Sequence, residues 1–139
     1  MLAWPAGPRP SAFSAVTVGI VRNEHSLASR WKTLSALDQV LAAAEADGAG
    51  ADEAILPNTA GRIACGSRSN LFVAAGGALV TPPVSEGALP GITRAALLRE
   101  VEAHRVPVEE RPVTRAMLQA AEEVVVTNAL IGVVTVTRL

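Results

Sequence analysis

The sequence predicts a mixed, strongly curved α/β sheet with two main helices on its outside. Apolar, β-branched runs bounded by turn residues outnumber helix-period runs about two to one. Only two longer stretches repeat with helical spacing. The chain of 139 residues is 50% hydrophobic but only 3% aromatic, with no Tyr. A core made from it must therefore be filled by Ala, Val and Leu, and a single domain of this length can bury roughly 68% of its unfolded surface.

Residues 1–12 hold three prolines and few charges and read as a linker or arm. The folded domain is expected over 13–139. Ala15–Val21 is β-branched and reads as the first strand, followed by a loop through Arg22–Ser26. Leu34, Leu37, Val40 and Leu41 fall on one face of a helix that runs on through Ala42–Ala46. Asp47-Gly48-Ala49-Gly50 ends it, because glycine takes left-handed geometry without strain. Glu53–Pro57 is a short strand, Asn58–Gly61 a turn, and Arg62–Cys65 the next strand. Asn70–Ala74 and Ala78–Thr81 flank Ala75-Gly76-Gly77 as a hairpin. Pro82-Pro83 breaks the sheet pattern, since proline donates no ladder hydrogen bond.

A second helix starts near Thr93 and reaches His104. Val106–Val113, with its prolines, reads as an edge strand. Thr114 caps a short helix carrying Met117 and Leu118, ending near Glu122. Glu123–Asn128 and Ile131–Val136 close the sheet.

Net charge is −1, with no basic stripe and a single Cys. That pattern argues against nucleic-acid binding, a polybasic membrane contact, an internal disulfide or a cysteine metal cluster. No run reaches about 18 apolar residues, and the first residues lack a basic segment followed by an apolar one. A cytoplasmic protein is the expectation.

Chemistry concentrates in few places. Leu89-Pro90-Gly91-Ile92-Thr93-Arg94 sets a bend and a Thr ahead of an apolar helical run. The first turn of a helix has unpartnered N–H groups and partial positive charge, so Gly91 to Thr93 could hold a phosphate or carboxylate. Read locally, the same residues are also an ordinary helix start. Lys32 is the only lysine in the chain. Desolvated beside an apolar helix face, it would have a lowered pKa and could form a Schiff base; taken alone it reads as a surface lysine at a helix start. Thr127-Asn128-Ala129 is a second candidate anion or carbonyl contact, or a plain turn. Cys65 has no base near in sequence and reads as a core thiol. His25 and His104 read as exposed, and Glu109-Glu110 and Glu122-Glu123 as solvated.

In combination these motifs resemble the class IV aminotransferases, pyridoxal-phosphate enzymes of fold type IV. That group includes branched-chain and D-amino-acid aminotransferases and 4-amino-4-deoxychorismate lyases. The family pattern maps onto Cys65, Ser67, Asn70-Leu71-Phe72, Leu79-Val80-Thr81 and Gly91-Ile92-Thr93-Arg94, with every spacing kept. Upstream, Lys32-Thr33-Leu34 and Asp38–Ala42 match the segment of the family's Schiff-base lysine. Downstream, Asn128-Ala129-Leu130-Ile131-Gly132-Val133 looks most like the lyase branch.

The resemblance implies a pseudo-barrel cofactor domain, a homodimer and the cofactor pyridoxal 5'-phosphate. Lys32 would hold the cofactor covalently and shuttle protons, and Leu89 would pack on the ring. Ile92 and Thr93 would bind the phosphate beside Gly91, and Asn128 and Ala129 would line the phosphate and substrate side. Cys65 departs from the pattern. The family places a Glu there, paired with the pyridinium nitrogen, and a thiol is a poor substitute counter-ion. The weaker electron sink disfavours transamination more than pyruvate elimination. The expected activity is therefore aminodeoxychorismate lyase-like, giving 4-aminobenzoate for folate biosynthesis. A branched-chain or D-amino-acid aminotransferase and a non-catalytic remnant are the alternatives. Family members are about twice as long, with an N-terminal small domain that is not expected here.

Overall fold

The computed structural model describes residues 10–139, so most of the expected arm over 1–12 lies outside the described residues. The strands are β1 Ala12–Thr17, β2 Glu53–Pro57, β3 Ile63–Gly66, β4 Asn70–Ala75, β5 Ala78–Thr81, β6 Val108–Glu110, β7 Glu123–Asn128 and β8 Gly132–Arg138. The helices are α1 Leu37–Gly48, α2 Ile92–Ala103 and α3 Arg115–Gln119.

Among the described residues the strands form one eight-stranded sheet in the order β3-β2-β1-β8-β7-β4-β5-β6. β1 runs parallel to β2 and β8, and β5 parallel to β6; the other pairs are antiparallel. The sheet curls until its two ends meet. The Ile63 amide donates to the Val113 carbonyl at 2.8 Å, which bridges β3 to the chain just after β6. Closure removes part of the unpaired edge that an open sheet would present.

The inner face of the curl is aliphatic, as the aromatic-poor composition requires. Ile55, Ile63, Leu71, Val73, Val80, Val113, Val124, Val126 and Val134 form the core there, with Leu118 of α3 packed against them. Thr114 caps α3 as expected, its hydroxyl accepting from the Met117 amide at 3.1 Å. In the β4–β5 hairpin Gly76 and Gly77 both have positive φ, +62° and +79°, the geometry a twist-matched tight hairpin demands.

Three expectations are corrected. The first strand is Ala12–Thr17 rather than 15–21, because pairing with β8 begins at Ala12. The segment beyond it still tracks β2 through the Val18 amide on Ile55 and the Arg22–Asn58 bridge. The face of α1 that meets the sheet is not the leucine face. Ala42 and Ala46 are buried against Val18, Ala54 and Leu56. Small side chains let the helix backbone approach β1 and β2 closely, which turns Leu37, Val40 and Leu41 outward at 67%, 62% and 49% exposure. Finally, the helix expected to start near Thr93 starts one residue earlier, at Ile92. Gly91 is the N-cap, with no side-chain cap bond, and Thr93 lies inside the first turn.

Candidate functional site

The polar residues gather on the outer face of the sheet, between α1 and the start of α2. A β-bulge places Cys65 there. Leu56 pairs with Cys65, while Pro57 pairs with Ile63, so Ala64 is the extra residue. Directly paired residues share a face. Ile63 therefore points into the core, and Cys65 lies outside with Leu56, which packs under α1. In an unbulged strand Cys65 would share the face of Ile63.

Arg22 reaches the same face. It bridges in parallel to Asn58, which is in alternation with Leu56 and Ala54 on β2. Its side chain is only 5% exposed. Nε donates to the Gly87 carbonyl and Nη2 to the Ser29 carbonyl, both at 3.2 Å. Nη1 faces the side-chain amide of Gln39. Three segments meet on this one guanidinium: the chain before Lys32, the first turns of α1, and the loop leading to Leu89.

A second set of bonds fixes that loop from below. Asn58 Nδ2 donates to Glu86 Oε2 at 2.7 Å, and Arg62 forms a two-pronged pair with the same carboxylate. The Arg62 hydrogen bond holds the Glu86 carboxyl below the usual carboxylate range against the opposing effect of burial. Glu24 accepts from the Thr59 amide at 3.0 Å and hydroxyl at 2.7 Å. Burial works to raise its pKa, but these bonds outweigh it and bring it to about 2.

Glu53 lies on the inner side, in alternation with Ile55, and is 1% exposed. Its carboxylate accepts from the Ser67 amide and hydroxyl, the Ser69 hydroxyl and the Ala54 amide. It thereby shapes the β3–β4 turn that follows Cys65. Burial pushes the Cys65 thiol up to about 11, with Arg22 pulling down and Glu53 pushing up. At neutral pH Cys65 is a neutral thiol.

The start of α2 is held by Asn70. Its Nδ2 donates to the Leu89 carbonyl at 2.7 Å. A Cβ on Gly91 would come closer to Asn70 Oδ1 than any real Cβ approaches a neighbour, so only glycine fits that cap. The first-turn amides of Ile92 and Thr93 have no side-chain cap and are available to an anion. Asn128 turns at the end of β7. Its Oδ1 accepts from the Leu130 and Ile131 amides, and its Nδ2 donates to the Arg68 carbonyl at 3.1 Å.

Of the residues singled out from sequence, the fold brings Leu89, Gly91, Ile92 and Thr93 together around Asn70. It ties Asn128 to the turn after Cys65, with Ala129 exposed beside it. Lys32 is exposed in an irregular segment ahead of α1. The sequence reading passed over Arg22, Glu24, Glu53 and Glu86. The available signal was a charged residue opening or closing an apolar strand, as Glu53 opens β2 and Arg22 closes the run after β1.

A family model described as amino-transferase class IV matches residues 2–139. A probable branched-chain-amino-acid aminotransferase from Aquifex aeolicus is 40% identical over 119 residues, 84% of this chain and 38% of that protein. The branched-chain aminotransferase from Thermoproteus uzoniensis, solved with norvaline, superposes with a TM-score of 0.89 at 30% identity, over 92% of this chain and 44% of that one. A Legionella pneumophila structure named "Putative 4-amino-4-deoxychorismate lyase" superposes with a TM-score of 0.88 at 30% identity, over 92% and 48%. The chain thus spans under half the length of each of these relatives.

Proposed function

The chain belongs to the amino-transferase class IV family, whose cofactor is pyridoxal 5'-phosphate, and from that premise we propose that it carries the cofactor-binding half of an enzyme acting on an amino-acid-like substrate. The residues fit the cofactor. The uncapped first turn of α2 offers amide donors to a phosphate. Ile92 and Thr93 would bind the phosphate by their amides and the Thr93 hydroxyl. Leu89 would pack on the ring, and Cys65 would face its nitrogen. Asn128 and Ala129 would line the substrate side. Lys32 would hold the cofactor by its amino group and move the substrate's α-proton. The bound cofactor supplies the electron sink for breaking a bond at the α-carbon.

The reaction we favour is pyruvate elimination from 4-amino-4-deoxychorismate, giving 4-aminobenzoate. The observation that carries it is the buried, neutral thiol at position 65. Transamination of a branched-chain or D-amino acid needs a strongly stabilised carbanion, which a neutral thiol supports poorly. The 40% identity to a branched-chain aminotransferase supports that second reading. The loss of the acidic residue at position 65 supports a third, a chain that binds without turnover.

A homodimer is the expected assembly. Leu34, Leu37, Val40 and Leu41, with Trp31, form an exposed apolar surface beside Lys32 that water covers poorly. No helix among the described residues is long and apolar enough to cross a membrane, and a cytoplasmic setting is proposed. Borohydride reduction in the presence of pyridoxal phosphate should fix a pyridoxyl group on Lys32, read by peptide mass. An unmodified Lys32 would reject the cofactor reading. Pyruvate release against amino transfer to 2-oxoglutarate then separates the two reactions.

A further inference from the structure

The two charged groups that flank Cys65 lie on opposite faces of the sheet. Arg22 shares the outer face with Cys65, through the Arg22–Asn58 and Leu56–Cys65 pairings. Glu53 is on the inner face with Ile55, and four donors already occupy its carboxylate. The remaining carboxylates packed near Arg22 are committed elsewhere, Glu24 to Thr59 and Glu86 to Arg62 and Asn58. From α1 the neighbour of Arg22 is the neutral amide of Gln39. On α2 the buried Arg94 is paired with Glu110. Arg22 itself bonds only neutral oxygens, and no ion pair forms on it among the described residues.

A ring docked with its nitrogen toward Cys65 therefore meets an uncharged donor and a fixed buried cation, while the carboxylates near that cation, Glu24 and Glu86, are already held by Thr59, Arg62 and Asn58. A pyridinium there would face like charge in a region of low dielectric, which favours the neutral base. We propose that the Cys65 thiol, set beside Arg22 on the outer face, holds the cofactor's ring nitrogen unprotonated, with Sγ–H donating to it. The proposal rests on the cofactor reading above and specifies the electronic state of that same site. It makes Arg22 a positioning residue with two duties: joining the Lys32, α1 and Leu89 segments, and excluding a proton from the ring. An unprotonated ring is the weaker electron sink that elimination tolerates better than transamination.

The test is ¹⁵N NMR of the purified chain loaded with ring-¹⁵N pyridoxal phosphate, titrated from pH 6 to 9, since protonated and neutral pyridine nitrogens resonate far apart. The expected wild-type signal is that of the neutral nitrogen throughout, moving to the protonated position in Cys65→Glu. Cys65→Ser, which keeps a neutral donor, should stay with the wild type. A protonated wild-type nitrogen at pH 7 overturns the proposal while leaving the cofactor reading intact. Absence of any bound signal that is lost in Lys32→Ala overturns both. Should Cys65→Glu fail to fold, the wild-type titration decides alone.

Discussion

Replacing Gly91 by alanine should loosen the α2 start by a calculable amount. The new Cβ would lie under 3.0 Å from Asn70 Oδ1 and 3.3 Å from its Cγ. Asn70 is 6% exposed and cannot swing into solvent freely. It must give up its 2.7 Å bond to the Leu89 carbonyl, leaving the buried Asn70 side-chain amide without that partner, while the Leu89 carbonyl keeps the Gly91 amide at 2.8 Å. That loss is worth about 1–3 kcal/mol. Forcing an extra methyl into a packed site adds about 1–3 kcal/mol. The sum is about 2–6 kcal/mol, or roughly 8–24 °C in Tm for a chain of this size. Urea unfolding measures it directly. Asn70→Ala in the same background removes the clash, so the double variant should cost about as much as Asn70→Ala alone plus a poorer cap. The cycle should give a coupling above about 1 kcal/mol. A Gly91→Ala chain within about 0.5 kcal/mol of wild type, or strictly additive costs, would refute the packing argument.

Other expectations follow from the same geometry. Thr59→Val deletes the hydroxyl bond to Glu24 and should destabilise by about 1 kcal/mol at neutral pH. Because the folded-state pKa of Glu24 is lowered to about 2 from 4.5, its contribution is whole above pH 4.5 and lost as pH falls toward 2. The gap between variant and wild type should therefore close across that window, and a gap that persists at pH 2 would contradict it. Cys65, with its thiol pushed up to about 11 and buried, should resist iodoacetamide at pH 7.5 in the folded chain and react on unfolding. Fast labelling of the folded chain would show the site open. Leu37→Lys with Val40→Lys should leave monomer stability within about 0.5 kcal/mol and reduce self-association in sedimentation velocity, since both side chains are exposed. A large loss of stability would mean that the face is packed after all.

Much of the sheet was legible because its signals are local. The Gly76-Gly77 hairpin, the Pro82-Pro83 stop and the Thr114 cap each act within a few residues, and each stands where the pattern put it. The leucines of α1 misled because periodicity reports that a face is apolar, not what covers it. Ala42 and Ala46 won the contact with the sheet through size, a property of the packed pair rather than of either segment. The Gly91 to Thr93 turn was recognisable from its bend and the helical run behind it. The Gly91 cap was not, because it depends on Asn70, whose side chain bonds the Leu89 carbonyl from nineteen residues away. Arg22 was read as loop since nothing near it in sequence reveals the carbonyls of Ser29 and Gly87 that bury it. The face taken by Cys65 depends on the bulge at Ala64, which alternation along β3 alone would have assigned the other way.

The central claim is that this chain binds pyridoxal phosphate through Lys32 at the outer face of the sheet, and absorbance tests it most directly. Adding pyridoxal phosphate to the purified chain should produce a visible band, carried by the protein through gel filtration and absent in Lys32→Ala. No band, or one that survives in Lys32→Ala, would contradict the account.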